Sequence, residues 1–161
     1  MAAEYSILVP QIVTPNAPST WPDNTCPCNQ GLIYKRSGGG VFLLASNAPN
    51  NGQCSCGCGC RQLWLTDYQV GVHLNAQIPE GGTVAEIIFA LAVDGVIDPA
   101  SLMRYTPTAA EISGNLGTDI IVSVPSLCGC ESVAVVNAGT QPSEILNGVL
   151  TFDYAGTRRI R

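Results

Sequence analysis

All eight cysteines of the chain fall in C-x-C units. They are Cys26 and Cys28, then Cys54, Cys56, Cys58 and Cys60 in the stretch "GQCSCGCGCRQ", then Cys128 and Cys130. In an extended strand, residues two apart point to the same face about 6.5–7 Å from one another. That separation sits at the upper edge of disulfide geometry, so a bond within one C-x-C is strained. A row of thiols instead presents itself as a unit to another row. Cross-linking, within the chain or between subunits, is therefore the leading expectation for all eight. The intervening Gly and Ser residues allow two backbones to approach closely. Metal binding is the second reading: zinc or copper(I) can use C-x-C, but structural zinc more often takes C-x₂₋₄-C pairs. Free thiols are the third. Redox catalysis is the weakest, because it uses C-x-x-C at a helix start and nothing places these cysteines on a helix. No metal and no cofactor is expected.

The remaining chemistry is sparse. His73 is the one histidine, and it falls on the polar face of a strand, where a surface role is the expectation. Without a second imidazole there is no base for a serine nucleophile, and no serine sits in a G-x-S-x-G elbow. Asp94 and Asp98 flank a hairpin, which turn chemistry explains better than acid–base work. Glu86 lies in apolar surroundings and predicts an ion pair with an arginine, within or between subunits. No P-loop, dinucleotide fingerprint or EF-hand loop is present. These absences predict a protein that is not an enzyme. The net charge is −5, and Lys35 is the only lysine, which argues against nucleic-acid binding. The basic cluster Arg158, Arg159 and Arg161 reads as a solvated terminus or a local ion pair.

The elements that must position these residues read as β. Residues 1–30 are rich in proline, which excludes a helix and predicts an extended arm able to add a strand to a sheet edge. "GLIYKR" and "GVFLLAS" predict two strands joined at Gly38-Gly39-Gly40. "DYQVGVHLNAQI" alternates over a dozen residues, with Tyr68, Val70, Val72, Leu74, Ala76 and Ile78 on one face. "PEGG" is a turn. "TVAEIIFALAVDG" predicts a strand ending in a hairpin at Asp94-Gly95, with Ile87, Phe89, Leu91 and Val93 on one face. Its other face carries Val84, Ile88, Ala90 and Ala92, and is expected to need cover from a second subunit. Residues 106–112 allow one helical turn. "DIIVSVP" and "ESVAVVN" are strands around "SLCGC". "EILNGVLTFDYAG" closes the domain with Leu146, Leu150, Phe152 and Tyr154 on one face. The expectation is all-β: an antiparallel β-sandwich or jelly roll over 31–161 with an extended N-terminal arm over 1–30. Ile88, Phe89, Leu91, Val93, Leu146, Leu150 and Phe152 are the candidates for core or subunit interface.

The succession "GLIYKR…GGGVFLLAS", "YQVGVHLNAQIPEGGTVAEIIFALAVDGVIDPASLMRYTPTAA", "DIIVSVPSLCGCESVAVVN" and "ILNGVLTF" resembles a group of small proteins of gut Firmicutes and their phages. That group is similar to the C1q/TNF-like trimeric jelly roll at the tips of collagen-like surface proteins. The likeness covers roughly residues 31–154. It implies a trimer-prone β-sandwich with a display or structural role and no catalysis. The chain departs from the pattern in its spread Cys128-Gly129-Cys130, in its closing strand "LNGVLTF" and in the "CSCGCGC" insertion.

Charged residues are 12% of the chain and hydrophobic ones 46%, against about 25% charged in an ordinary soluble domain. Burial against further copies would account for that balance. The N-terminal stretch lacks the pattern of a secretory signal, and no segment reaches the roughly 20 apolar residues of a helical membrane span. The chain is thus expected to be made in a cytoplasm and reach an exterior by lysis. The expected function is a self-assembling structural protein, forming a trimer or higher polymer on capsid or surface scaffold proteins. A phage virion decoration or fibre protein comes first, and a disulfide-cross-linked spore or cell-surface filament subunit second. The third is a carbohydrate-binding module with Trp21, Trp64 and Tyr68 as its aromatic platform.

Overall fold

The computed structural model describes residues 2–22, 33–35, 39–47, 63–126 and 130–160. Its strands are β1 (Ala2–Ile7), β2 (Gln11–Val13), β3 (Ile33–Lys35), β4 (Phe42–Ala45), β5 (Leu63–Gln77) and β6 (Ile87–Val93). They continue as β7 (Val96–Ile97), β8 (Met103–Tyr105), β9 (Gly114–Pro125), β10 (Cys130–Asn137) and β11 (Ser143–Ile160). One sheet runs β1-β11-β5-β9, with β2 also on β11; the other runs β3-β4-β10-β6-β7, with β8 also on β6. Every pairing is antiparallel. The pairs are nested: β1 with β11, β4 with β10, β5 with β9, and β6 with β7 and β8. Two antiparallel sheets packed face to face in this way form an all-β sandwich.

Alternation along β5 sets the inner face. Tyr68, Val70, Val72, Leu74 and Ala76 are buried, while Gln69 and His73 between them are exposed. Facing them from the other sheet are Phe42, Leu44, Ile87, Phe89, Leu91, Val133 and Val135, all buried in the same cluster. The centre is aromatic: Phe42 lies 4.6 Å from Tyr5 and 5.1 Å from Phe152 between ring centroids. Gly148 makes room where β11 crosses this core: a Cβ there would come 2.6 Å from a Leu74 methyl and 3.1 Å from the His73 carbonyl, so Leu74 would have to shift.

Of the Pro-rich N-terminal segment, residues 2–22 are described, and β1 and β2 lie on the sandwich's own edge. After β1 and β2 have paired with β11, the chain crosses to the other sheet. Asn16 N–H donates to the Asn137 carbonyl (2.8 Å) and Ser19 N–H to the Val135 carbonyl (2.8 Å), around an antiparallel bridge between Pro18 and Val136. Pro18 fits there because the neighbouring amides carry the ladder. Trp21 then inserts fully into the core, its Nε1–H donating to Ser19 Oγ at 2.9 Å. The side chain of Asn137, also fully buried, fastens the crossing. Its Nδ2 donates to the carbonyls of Val13 (2.8 Å) and Gln141 (2.9 Å), and its Oδ1 accepts from Gly139 N–H (2.9 Å).

Two local expectations are corrected. Residues 106–112 hold a turn with Glu111 at φ 61° and no helical turn; the one described helical turn is the 3-10 segment Pro99–Ser101, capped by the Asp98 carboxylate on Ala100 N–H. Leu146 does not share the face of Leu150 and Phe152. A register shift between Ile145 and Asn147 inserts a bulge, so Ile145 turns into the core instead. The second face of β6 divides: Ala90 is 0% and Ala92 6% exposed, clustered with Val136, whereas Ile88 is partly exposed and Val84 just before the strand is 47% exposed.

Candidate functional site: the open flank of the sandwich

The two flanks of the sandwich are finished differently. On one, the segment through residues 14–22 bridges the sheets. On the other, β9 and β7 are the edges of their sheets and leave a groove of about 430 Å³. It is lined by Val93, Val96, Ile97, Asp98, Pro99, Ile121, Val122, Ser123 and Glu131. Val96 is 71% exposed, Ile121 57% and Ile97 38%.

The β6–β7 hairpin shapes one wall. Asp94 at φ 49° and Gly95 at φ 78° form a tight turn with both residues left-handed. Asp94 Oδ1 accepts from Ser132 N–H (2.7 Å) and Ser132 Oγ (3.1 Å), which ties the turn to β10. Glu131 next to it is pushed up to about 7, first by its hydrogen bond to Asp94, then by burial and by repulsion from that carboxylate. Asp94 is correspondingly lowered, chiefly by the hydrogen bond from Glu131 and by the Ser132 amide, against the opposing effect of burial. The pair therefore shares one proton, carried on Glu131. Cys130, which precedes Glu131 at the start of β10, is exposed and not in a disulfide.

The other polar groups are structural. Burial works to raise Asp67, but hydrogen bonds from Ser123 (2.5 Å) and Arg158 (2.8 Å), with the guanidinium charge, hold it below its ordinary value. Glu86 pairs with Arg104 of the same chain at 3.0 Å, both largely exposed. That answers the expected ion pair for Glu86, as Arg158 with Asp67 does for the first residue of the basic tail. His73 is exposed on the outer face of β5, over Gly117, where a Cβ would lie 2.7 Å from its Nδ1. Asn75, Asn115 and Asn147 line a shallow depression beside it, with Asn75 donating to Asn115 at 2.9 Å.

The sequence-derived candidates separate as follows. Phe89, Leu91, Leu150 and Phe152 are fully buried within one copy, and so belong to its core and cannot meet a neighbour. Val93 is partly buried against that core and lines the groove; Ile88 and Leu146 are partly exposed. Cys26, Cys28, Cys54, Cys56, Cys58, Cys60 and Cys128 lie outside the described residues. Among the described residues, no three His, Cys, Asp or Glu side chains converge as a metal site. Trp21 and Tyr68 are 0% exposed, so the aromatic platform expected for a carbohydrate module does not form. Asn137 and the exposed aliphatics Leu8, Val9, Ile12, Val96, Ile97 and Ile121 were not singled out by their pattern. A buried Asn at a strand end has no periodic signal, and edge residues alternate like any others.

No family model matches the chain, and no curated protein matches it.

Proposed function

We propose that this protein is a non-catalytic structural subunit that assembles with copies of itself on the exterior of a particle, as a phage virion decoration or fibre protein. One observation carries the reading: large aliphatic side chains stand exposed on the outer edges of the sandwich in a chain with only 12% charged residues. Exposed aliphatic side chains grouped in this way mark a surface for interaction. A trimer, as the C1q/TNF-like resemblance implies, is the assembly proposed. The described carboxylates support a structural role, since Asp67, Asp94, Asp98 and Glu86 are each engaged in a turn, a cap or an ion pair.

A second reading, a cross-linked spore or surface filament subunit, is favoured by Cys130, an exposed thiol without a disulfide that another copy could reach. Native material on a gel with and without reductant separates the two. A ladder that reductant collapses to one band near 16.8 kDa selects the filament. A monomer in both lanes, with reversible oligomers in solution, selects the decoration protein. A monomer under every condition sinks both.

A further inference from the structure

We infer that the groove on the open flank receives the apolar tip of a second copy of this chain. The inference rests on the self-association proposed above and names the two surfaces that meet. The tip is the turn joining β1 to β2, where Leu8 is 76%, Val9 74% and Ile12 60% exposed. The receiving surface is Val96, Ile97 and Ile121 around Pro99. Among the described residues, nine large hydrophobic side chains are exposed, and six of them stand at these two places.

Charge selects the tip over other segments of the chain. Asp98 lines the groove, so an acidic segment is repelled there. A cationic segment would have to give up hydration, and Arg158 of the basic tail is already paired with Asp67. Residues 6–13, "SILVPQIV", contain no ionisable side chain and enter without burying a charge. Glu131 is pushed up to about 7, so part of this carboxyl is neutral at neutral pH, which lowers the cost of covering it.

Topology sets the symmetry of the contact. β1 and β9 are the opposite edges of one sheet, three strand spacings or roughly 14 Å apart, so a copy's tip does not fill its own groove. Tip to groove joins unlike surfaces and leaves a free tip at one end and a free groove at the other. Repetition then closes a ring or extends a filament. Three aliphatic side chains cover far less than the roughly 800 Å² per partner of a stable pair, so each contact is weak and assembly rises with concentration.

The test is sedimentation velocity in reductant over a range of concentrations. It compares the unaltered chain, a tip variant (Leu8→Asp with Val9→Asp), a groove variant (Val96→Asp with Ile121→Asp) and an equimolar mixture of the variants. All four positions are exposed, and circular dichroism checks that both variants keep the sheet. The unaltered chain is expected to pass beyond a dimer. Each variant alone is expected to stay monomeric, its dissociation constant raised by roughly tenfold or more. The mixture is expected to stop at a dimer, because one intact groove then meets one intact tip. Assembly of either variant like the unaltered chain overturns the inference and leaves self-association standing. A groove variant that still dimerises while the tip variant does not shows a tip-to-tip contact and overturns it too. An unaltered chain that is monomeric in reductant but laddered when oxidised overturns the tip–groove contact alone. One that is monomeric in both overturns self-association with it.

Discussion

The flank crossed by residues 14–22 and the flank between β7 and β9 solve the same problem in opposite ways. Both are places where the edges of two sheets leave the core exposed. On the first, the chain itself runs from one sheet to the other, inserts Trp21, and anchors the crossing on Asn137. On the second, no described segment bridges the edges, and Val96, Ile97 and Ile121 stay in solvent. An edge closed by its own chain is a stability device. An edge left apolar and open is a surface for association, since isolated proteins usually blunt such edges with charge.

That contrast can be broken from either side. The largest effect is expected from Trp21→Ala, which removes a fully buried indole and should cost about 3–5 kcal/mol in denaturant unfolding. A loss below ~1 kcal/mol would show that the crossing segment is not part of the cooperative fold. Asn137→Ala should cost about 1–3 kcal/mol, because it strips partners from the buried Val13 carbonyl and the Gly139 amide. On the open flank, Ile121→Ser should change stability by no more than about 0.5 kcal/mol, while weakening association. Equal losses for Trp21→Ala and Ile121→Ser would abolish the distinction between the flanks.

Acid sensitivity sharpens it further. The folded value of Glu131, about 7, lies above the ordinary 4.5, so the native state binds this proton more tightly than the unfolded chain. Its stabilising contribution is fully present below 4.5 and is lost as pH rises through 7. The melting temperature is expected to fall across that window and to level off in Glu131→Gln. Asp94 and Asp67 are shifted the other way, so they contribute above 3.8 and lose that contribution only as pH falls below it. An unchanged slope in Glu131→Gln would remove the shared proton from the account of this hairpin. The smallest effect is expected at Glu86→Gln, an exposed pair with Arg104, at about 0–1 kcal/mol and diminishing with salt.

The fold was largely legible because strand alternation is a local signal. The inner face of β5 follows from its sequence residue by residue, and so does the Asp94-Gly95 hairpin, whose chemistry resides in two adjacent residues. Leu146 was placed wrongly because a bulge shifts parity without changing composition, and parity carried back from Leu150 and Phe152 crosses it unseen. Nor does the pattern separate buried Ala90 and Ala92 from exposed Val84 on the second face of β6, because hydrophobicity does not register how little of an alanine remains to be covered. The open flank was not legible at all. It is defined by which strands end up as edges, a property of β7 and β9 lying 17 residues apart between Ile97 and Gly114 and meeting only after the sandwich has wound.

The nested pairing has a consequence for the order of events during synthesis. β1 (Ala2–Ile7) finds its partner only in residues 148–153, and β5 is flanked by β9 and β11, both far downstream. A ribosome has therefore emitted nearly all the described strands before either sheet can be completed. Distant pairings of this kind make folding slow, and the apolar faces of β5 and β6 wait meanwhile without their partners. The nascent chain is thus more exposed to misassembly than the finished molecule. A stop codon before β11 would leave β1, β2 and β5 without the strand that joins them, and no smaller sandwich to fall back on.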